Sequence, residues 1–246
     1  MSYDYFSQVY DRLMSDCDYE ARADYLLGLF SRFADKPKLM LDLCCGTGSL
    51  SLELMRRGCD VIAVDASESM LCRAGEKARN AGLNMLILCQ DAAELDLYGT
   101  VDGAVCTLDS VNHIVDEDDL RTVFERVSLF LEKDCLFIFD ANTEYKHEQI
   151  LGDNTYVIED DGVFCVWQNS LDAPYTDISL DFFVRQDGGL YHRESEQFAE
   201  RAYSVQQLCE FAESAGLSTV AVLDDMTLNA PREDSERLVY VMRKVK

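Results

Sequence analysis

The sequence predicts an α/β protein: a parallel sheet with helices on both faces and an antiparallel β-meander inserted late in the chain. Three observations carry that prediction. Short, fully apolar runs alternate with helical stretches as far as residue 139, as buried parallel strands require. Turn-forming residues stand between the runs. After residue 152 the segments become β-branched and aromatic and alternate with period two.

The first 35 residues carry the helical stripe Leu26, Leu27, Phe30 and Phe33, stopped by Pro37. Leu39-Met-Leu-Asp42-Leu-Cys44 is the first strand and enters the turn Gly46-Thr47-Gly48, followed by a helix closed at Gly58. Val61-Ile-Ala-Val64 is the second strand, ending at Asp65. Ser67 caps a helix carrying Met70, Leu71, Ala74 and Ala78, with Gly82 just beyond. Met85 to Cys89 and Gly103 to Cys106 are the next two strands. Asp116 and Asp119 stand at capping-box spacing before Leu120, Val123, Phe124 and Val127, and Leu136 to Phe139 is the fifth strand. Five strand–turn–helix units result, with right-handed crossovers.

The meander comprises segments 155–159, 163–171, 176–184 and 190–200. Ser204 and Gln207 then form a capping box, Gly216 stops that helix, and strands 218–223 and 237–242 close the chain. Between 152 and 200 there are eleven acidic residues and two basic ones, so the outer face of the meander is expected to be strongly negative.

Composition narrows the function. A chain of 246 residues can bury one sizeable core. Forty-six acidic against 22 basic residues, net charge −24, leave no basic footprint for nucleic acid and no polybasic membrane anchor. No apolar run reaches the roughly 18–20 residues of a membrane span. The acidic, aromatic N-terminus lacks signal-peptide character, so the expected location is the cytoplasm. The ten cysteines, several within apolar runs such as Cys89 and Cys135, are expected to be reduced and mostly in the core. There is no Cys-x-x-Cys pair, and His113, His147 and His192 are far apart, so no metal is expected.

Chemistry concentrates at the strand ends. The glycine turn after Asp42 lets a ligand approach the backbone, and the helix behind it offers free amides. A carboxylate inside the strand end suits an ammonium group and disfavours a pyrophosphate. The dinucleotide pattern Gly-x-Gly-x-x-Gly is broken, because Gly46-Thr-Gly48-Ser-Leu-Ser51 lacks the third glycine. Asp65 suits ribose hydroxyls at the topological switch, or else a charge at a helix start. Asp91 suits an adenine amino group, or else an ordinary loop site.

These segments resemble the class I S-adenosylmethionine-dependent methyltransferases, in their small-molecule branch. The likeness rests on Asp42-Leu-Cys-Cys-Gly46-Thr-Gly48, on Asp60-Val-Ile-Ala-Val-Asp65-Ala-Ser-Glu-Ser-Met70 and on Gln90-Asp91-Ala92. Tyr10-Asp11-x-Leu-Met14, Leu108-Asp109-Ser-Val-Asn112-His113, and Glu200-Arg201-x-Tyr203-Ser204 extend it over most of the chain. Cys44 departs from the glycine or alanine that many members carry, with a modest effect expected on the loop.

The resemblance implies a Rossmann-like seven-stranded mixed sheet of order 3-2-1-4-5-7-6. It implies one domain over 1–246: a helical lid (1–35), a cofactor-binding core (36–151 and 202–246) and the inserted meander (152–201). It implies S-adenosyl-L-methionine as cofactor, leaving as S-adenosyl-L-homocysteine. Cys44, Gly46, Thr47 and Gly48 would carry its methionine part, with Asp42 near the ammonium and Leu108 beside the chain. Asp65 would hold the ribose, Ala66 and Met70 the adenine pocket, and Asp91 and Ala92 the adenine edge. Tyr10 would close over the cofactor, and the faces of Tyr3, Tyr5 and Tyr10 would suit a sulfonium.

His113 is the candidate base, with a packing role as the alternative. Asp109, Arg201 and Tyr203 are candidate acceptor contacts, and a structural salt bridge accounts equally for Arg201. His192 falls in the meander, where it would serve the acceptor pocket or a contact between copies. The expected partner is a small-molecule methyl acceptor with an N or O nucleophile, not nucleic acid or membrane, acted on by a monomer or homodimer. Two other functions stay open on the sequence: a nicotinamide-dependent oxidoreductase, and a non-catalytic adenosyl-binding protein.

Overall fold

The computed structural model describes residues 6–14, 16–160 and 162–245, so Tyr3 and Tyr5 lie outside the described residues. Strands β1 (Leu39–Leu43), β2 (Asp60–Asp65), β3 (Leu86–Cys89), β4 (Val101–Cys106) and β5 (Leu131–Asn142) run parallel, and β11 (Arg237–Lys244) and β10 (Leu217–Asp224) are added antiparallel. The order is 3-2-1-4-5-11-10, the expected one once four inserted strands are set aside. Those four, β6 (Thr155–Asp160), β7 (Val163–Asp172), β8 (Tyr175–Arg185) and β9 (Tyr191–Arg201), form a separate antiparallel sheet.

The period-two alternation of β1 explains the layers. Leu41 and Leu43 face one core, packed with α5 (Glu117–Phe130) and α6 (Val205–Ser214) through Leu120, Phe124, Leu208 and Phe211. Met40 faces the other, with α2 (Tyr19–Phe33), α3 (Ser49–Arg56) and α4 (Glu68–Asn80) through Leu26, Phe30, Leu54 and Ala74. The first 35 residues thus divide. Asp18 caps α2, accepting from the Ala21 N–H at 2.9 Å, and α2 joins the covering layer. The preceding helix, α1 (Phe6–Leu13), instead sends Val9 into the apolar face of the meander beside Cys165, Ile178, Leu180 and Phe182.

The expected caps are present: Ser67 accepts from Met70 N–H, Asp116 from Asp118 and Asp119 N–H, and Ser204 with Gln207 completes its box. Two of the five units differ from the expectation. β3 is followed only by a three-residue turn (Ala92–Glu94), the intervening residues being too few and too polar for a helix. β5 is followed by a π-helical turn, Lys146–Leu151, that leads into the meander.

The cysteines also need correcting. All ten are free thiols, but only Cys59, Cys106 and Cys165 are buried, whereas Cys72 and Cys89 are exposed and Cys135 is half-buried. Cys89 ends an edge strand, where an apolar run no longer implies burial. No helix among the described residues is long and apolar enough to cross a membrane.

Candidate active site

A cleft of about 310 Å³ opens at the carboxyl ends of β1, β2 and β3, where open α/β sheets bind ligands. Cys44, Gly46, Asp65, Ala66, Met70, Asp91, Ala92, Leu108 and His113 wall it, with Tyr10 of α1 contributing from above. An adjoining recess of about 40 Å³ is lined by Asp42, Thr47 and Tyr19, and shares Tyr10, Gly46 and Leu108 with the cleft.

Gly48 stands apart from the expected cofactor residues, for it lines neither space. It starts α3 at φ +71°, and a Cβ there would lie 2.8 Å from the Ala74 Cβ, so its missing side chain lets α3 and α4 approach. Gly46 is the opposite case: φ is +55° and nothing lies within 4 Å of the position a Cβ would take.

The carboxylates are individually held. Asp42 is buried beside Ser51, whose hydroxyl donates to it, and burial pushes its carboxyl up to about 7. Asp65 accepts the Gly46 N–H at 2.8 Å and the Ser67 N–H at 2.9 Å, bridging the ends of β1 and β2. Burial raises its carboxyl too, against those two N–H groups. Asp91 accepts from Ala93 N–H at 2.9 Å and so shapes the turn after β3. Thr47 is tied to α1 and α4: it donates to Asp11 at 2.6 Å and accepts from Lys77 at 2.9 Å, and Lys77 pairs with Asp11 at 2.5 Å.

Cys44, Leu108 and Asp109 are non-glycine residues at φ +57°, +59° and +57°, a region that costs of order 1 kcal/mol or more and gathers at functional sites. A residue that sequence reasoning missed sustains two of them. Asp140, near the end of β5, accepts the N–H groups of Leu108 at 2.9 Å and Asp109 at 2.7 Å. It also receives Arg22 at 3.3 Å and Arg237 at 3.2 Å. Its position just after the apolar run Leu136 to Phe139 repeats the placement of Asp42 and Asp65, and that was the available signal.

Beyond Asp140 a buried polar cluster lies between the sheet and the meander. Asp109 pairs with Arg237 at 3.1 Å and accepts from Asn142 at 2.8 Å. Burial pushes its carboxyl up, but Arg237, His113, Lys146 and Asn142 together outweigh this and hold it at about 2. His113 is half-buried against Phe198 (ring centroids 5.1 Å apart), and burial lowers its pKa against the opposing pull of Asp109 and Asp65. Its Nε2 lies 3.7 Å from one oxygen of Glu200, while His147 Nε2 lies 3.8 Å from the other. Two histidines distant in sequence therefore converge on one carboxyl of β9.

Arg201 and Tyr203 do not wall the cleft. Arg201 reaches the Val115 carbonyl and the Tyr175 hydroxyl, both at 3.2 Å, and pairs with Glu117. The Tyr203 hydroxyl donates to the Ile114 carbonyl. Both brace the connection leading into α5. His192 is exposed, 2.6 Å from Glu194.

The expected cofactor fits this arrangement on its own chemistry. The open space at Gly46 admits backbone approach, Asp42 and Asp65 offer carboxylates at either side of it, and Ala66, Met70 and Ala92 supply small apolar walls.

Known proteins agree with the geometry. The methyltransferase domain family matches residues 40–134. A protein of Geobacillus sp. (strain WCH70) that carries a provisional methyltransferase name is 31% identical over 99% of this chain and all of its own length. A glycine/sarcosine N-methyltransferase of Parasynechococcus marenigrum (strain WH8102) is 29% identical over 76% of this chain and 67% of its own. A solved S-adenosylmethionine-dependent methyltransferase from Clostridium acetobutylicum is 33% identical, covers 99% of both chains and superposes with a TM-score of 0.89. With that likeness over its full length and a cleft that suits the cofactor, the chain belongs to the class I S-adenosylmethionine-dependent methyltransferases.

Proposed function

We propose that the methyl group goes to a nitrogen or oxygen of a small molecule and that His113 accepts the proton the nucleophile gives up. One observation carries this reading: His113 lines the cofactor cleft and lies 3.7 Å from Glu200 of the meander, and its burial favours the uncharged ring. A base is most effective when it is unprotonated at working pH and within reach of the nucleophile. The N-methyltransferase relative and the acidic composition of the meander support an acceptor that is not a polyanion.

In this reading Asp42, Cys44, Gly46, Thr47 and Leu108 hold the amino-acid end of the cofactor, and Asp65, Ala66, Met70, Asp91 and Ala92 hold its nucleoside. The bound sulfonium supplies an activated methyl carbon; the protein supplies position, orientation and exclusion of water. Tyr10 closes the cleft from α1, the lid, while 36–151 and 202–246 form the core and 152–201 covers the acceptor side.

The test is turnover. With S-adenosylmethionine and separate panels of small amines and alcohols, homocysteine-product formation is followed in wild type and His113→Asn. A loss of about 100-fold or more in kcat, with S-adenosylhomocysteine affinity within about threefold, is the expected result for a lost general base. Unchanged turnover in His113→Asn contradicts the assignment.

A further inference from the structure

The turn after β4 carries one wall of the cleft in a conformation that is costly on its own. Leu108 and Asp109 are consecutive non-glycine residues in the left-handed region, where the Cβ crowds the following carbonyl oxygen. Leu108 lines both the cleft and the recess beside it. Asp109 starts the short helical turn Ser110–His113, whose two end residues also line the cleft. Whatever fixes these two residues therefore fixes one side of the site.

Asp140 supplies a clamp, with one oxygen for each N–H: Oδ2 accepts from Leu108 and Oδ1 from Asp109. Two arginines in turn reach the clamp. Arg22 donates to Oδ2 at 3.3 Å and otherwise points to Asp225, at 3.0 and 3.2 Å. Arg237 is placed differently. It leaves β11 opposite Asn142 of β5, and its guanidinium reaches past β5 to the turn after β4. Its Nη1 donates to Asp140 Oδ1 at 3.2 Å, and its Nη2 donates to Asp109 Oδ1 at 3.1 Å. The Asp109 N–H, the Asp140 carboxylate, the guanidinium and the Asp109 carboxylate thus close a ring. Asn142 takes the second Asp109 oxygen at 2.8 Å. One rigid fork holds both the clamp and the residue that is clamped. A lysine would bring the charge without the planar fork that sets two acceptors at a fixed spacing.

We infer that Arg237 is a positioning residue for methyl transfer: by joining Asp140 to Asp109 it holds Leu108 in the shape that the amino-acid end of the cofactor binds. The inference rests on the cofactor placement proposed above and adds to it a residue that lines neither the cleft nor the recess. An ion pair that only stabilised the fold would change global stability and leave the turn of the folded protein as it is.

The experiment compares the whole chain as wild type and as Arg237→Lys, which keeps the buried charge where Arg237→Gln risks unfolding. Hydrogen exchange of the unliganded proteins reads the turn, with Phe137 and Ile138 of β5 as the reference for global opening. In Arg237→Lys the Leu108 and Asp109 amides are expected to exchange at least about tenfold faster relative to that reference. Calorimetry is expected to show S-adenosylhomocysteine affinity lower by at least about tenfold, as a loss of preorganisation requires. Wild-type affinity in a folded Arg237→Lys overturns the inference. So does faster exchange that is equal at the turn and at the reference. A wild type without S-adenosylhomocysteine affinity sinks the cofactor placement instead, and hydrogen exchange still judges the hold of Arg237 on the turn.

Discussion

The backbone N–H of Gly46 donates to Asp65 at 2.8 Å, so the carboxylate that ends β2 also fixes the turn that ends β1. The two strand ends that border the cleft are thereby set by one side chain, and the turn's two glycines do different work.

Gly46→Ala and Gly48→Ala should therefore separate stability from binding. At Gly46 the new Cβ meets open space, so the cost is left-handed strain of about 1–2 kcal/mol, while S-adenosylhomocysteine affinity falls sharply. At Gly48 the same strain adds to a 2.8 Å clash with Ala74, for a total of about 2–4 kcal/mol. Urea midpoints at constant m-value, paired with calorimetry, check both.

The apo protein should lose stability as pH rises from 6.5 to about 8. Burial raises Asp42 to about 7 and Glu200 to about 8, so each stabilises the fold fully below its unfolded pKa and loses that contribution as pH climbs to the folded one. Below 6.5 the trend is opposed, because burial lowers His147 to about 4 and charging it costs stability as pH falls. The loss over 6.5 to 8 is of order 2 kcal/mol, and Glu200→Gln should remove most of it. Thermal melts at matched ionic strength decide the matter.

Lys77→Ala should loosen α1 without unfolding the core. Lys77 joins α4 to Asp11 of α1, and a partly exposed pair of this kind contributes about 1 kcal/mol or less. Hydrogen exchange over 6–13 is expected to rise, and S-adenosylhomocysteine affinity to fall several-fold as Tyr10 is freed, with the melting temperature nearly unchanged.

Asp140→Ala should be the most destabilising of these changes. It leaves Arg22 with Asp225 alone and Arg237 with Asp109 alone and releases the strained Leu108–Asp109 turn, a loss of about 3–5 kcal/mol on the scale of broken buried pairs. Chemical denaturation measures it, and a loss under about 1 kcal/mol would show that the turn holds itself.

Much of this was legible in the sequence, for physical reasons. The buried parallel strands had to be apolar throughout, so β1, β2 and β4 announced themselves, and Asp42 and Asp65 stood out as acids where apolar runs stop. Asp140 obeyed the same rule and was passed over, since its four partners, Arg22, Leu108, Asp109 and Arg237, come from three distant segments. Glu200 was hidden among the eleven acids between 152 and 200. Most such acids face water, and only the docking of the meander on the sheet reveals which one is buried. Cys89 misled in the other direction, because an apolar strand does not disclose that it lies at an edge.

The most direct test of the account is calorimetric titration of S-adenosylhomocysteine into wild type and Asp65→Ala. Submillimolar binding at one site per chain, weakened at least about 50-fold in a variant that still melts cooperatively, is the predicted result. A folded wild type that binds no adenosyl ligand, or an Asp65→Ala variant that binds it as tightly, would contradict the account.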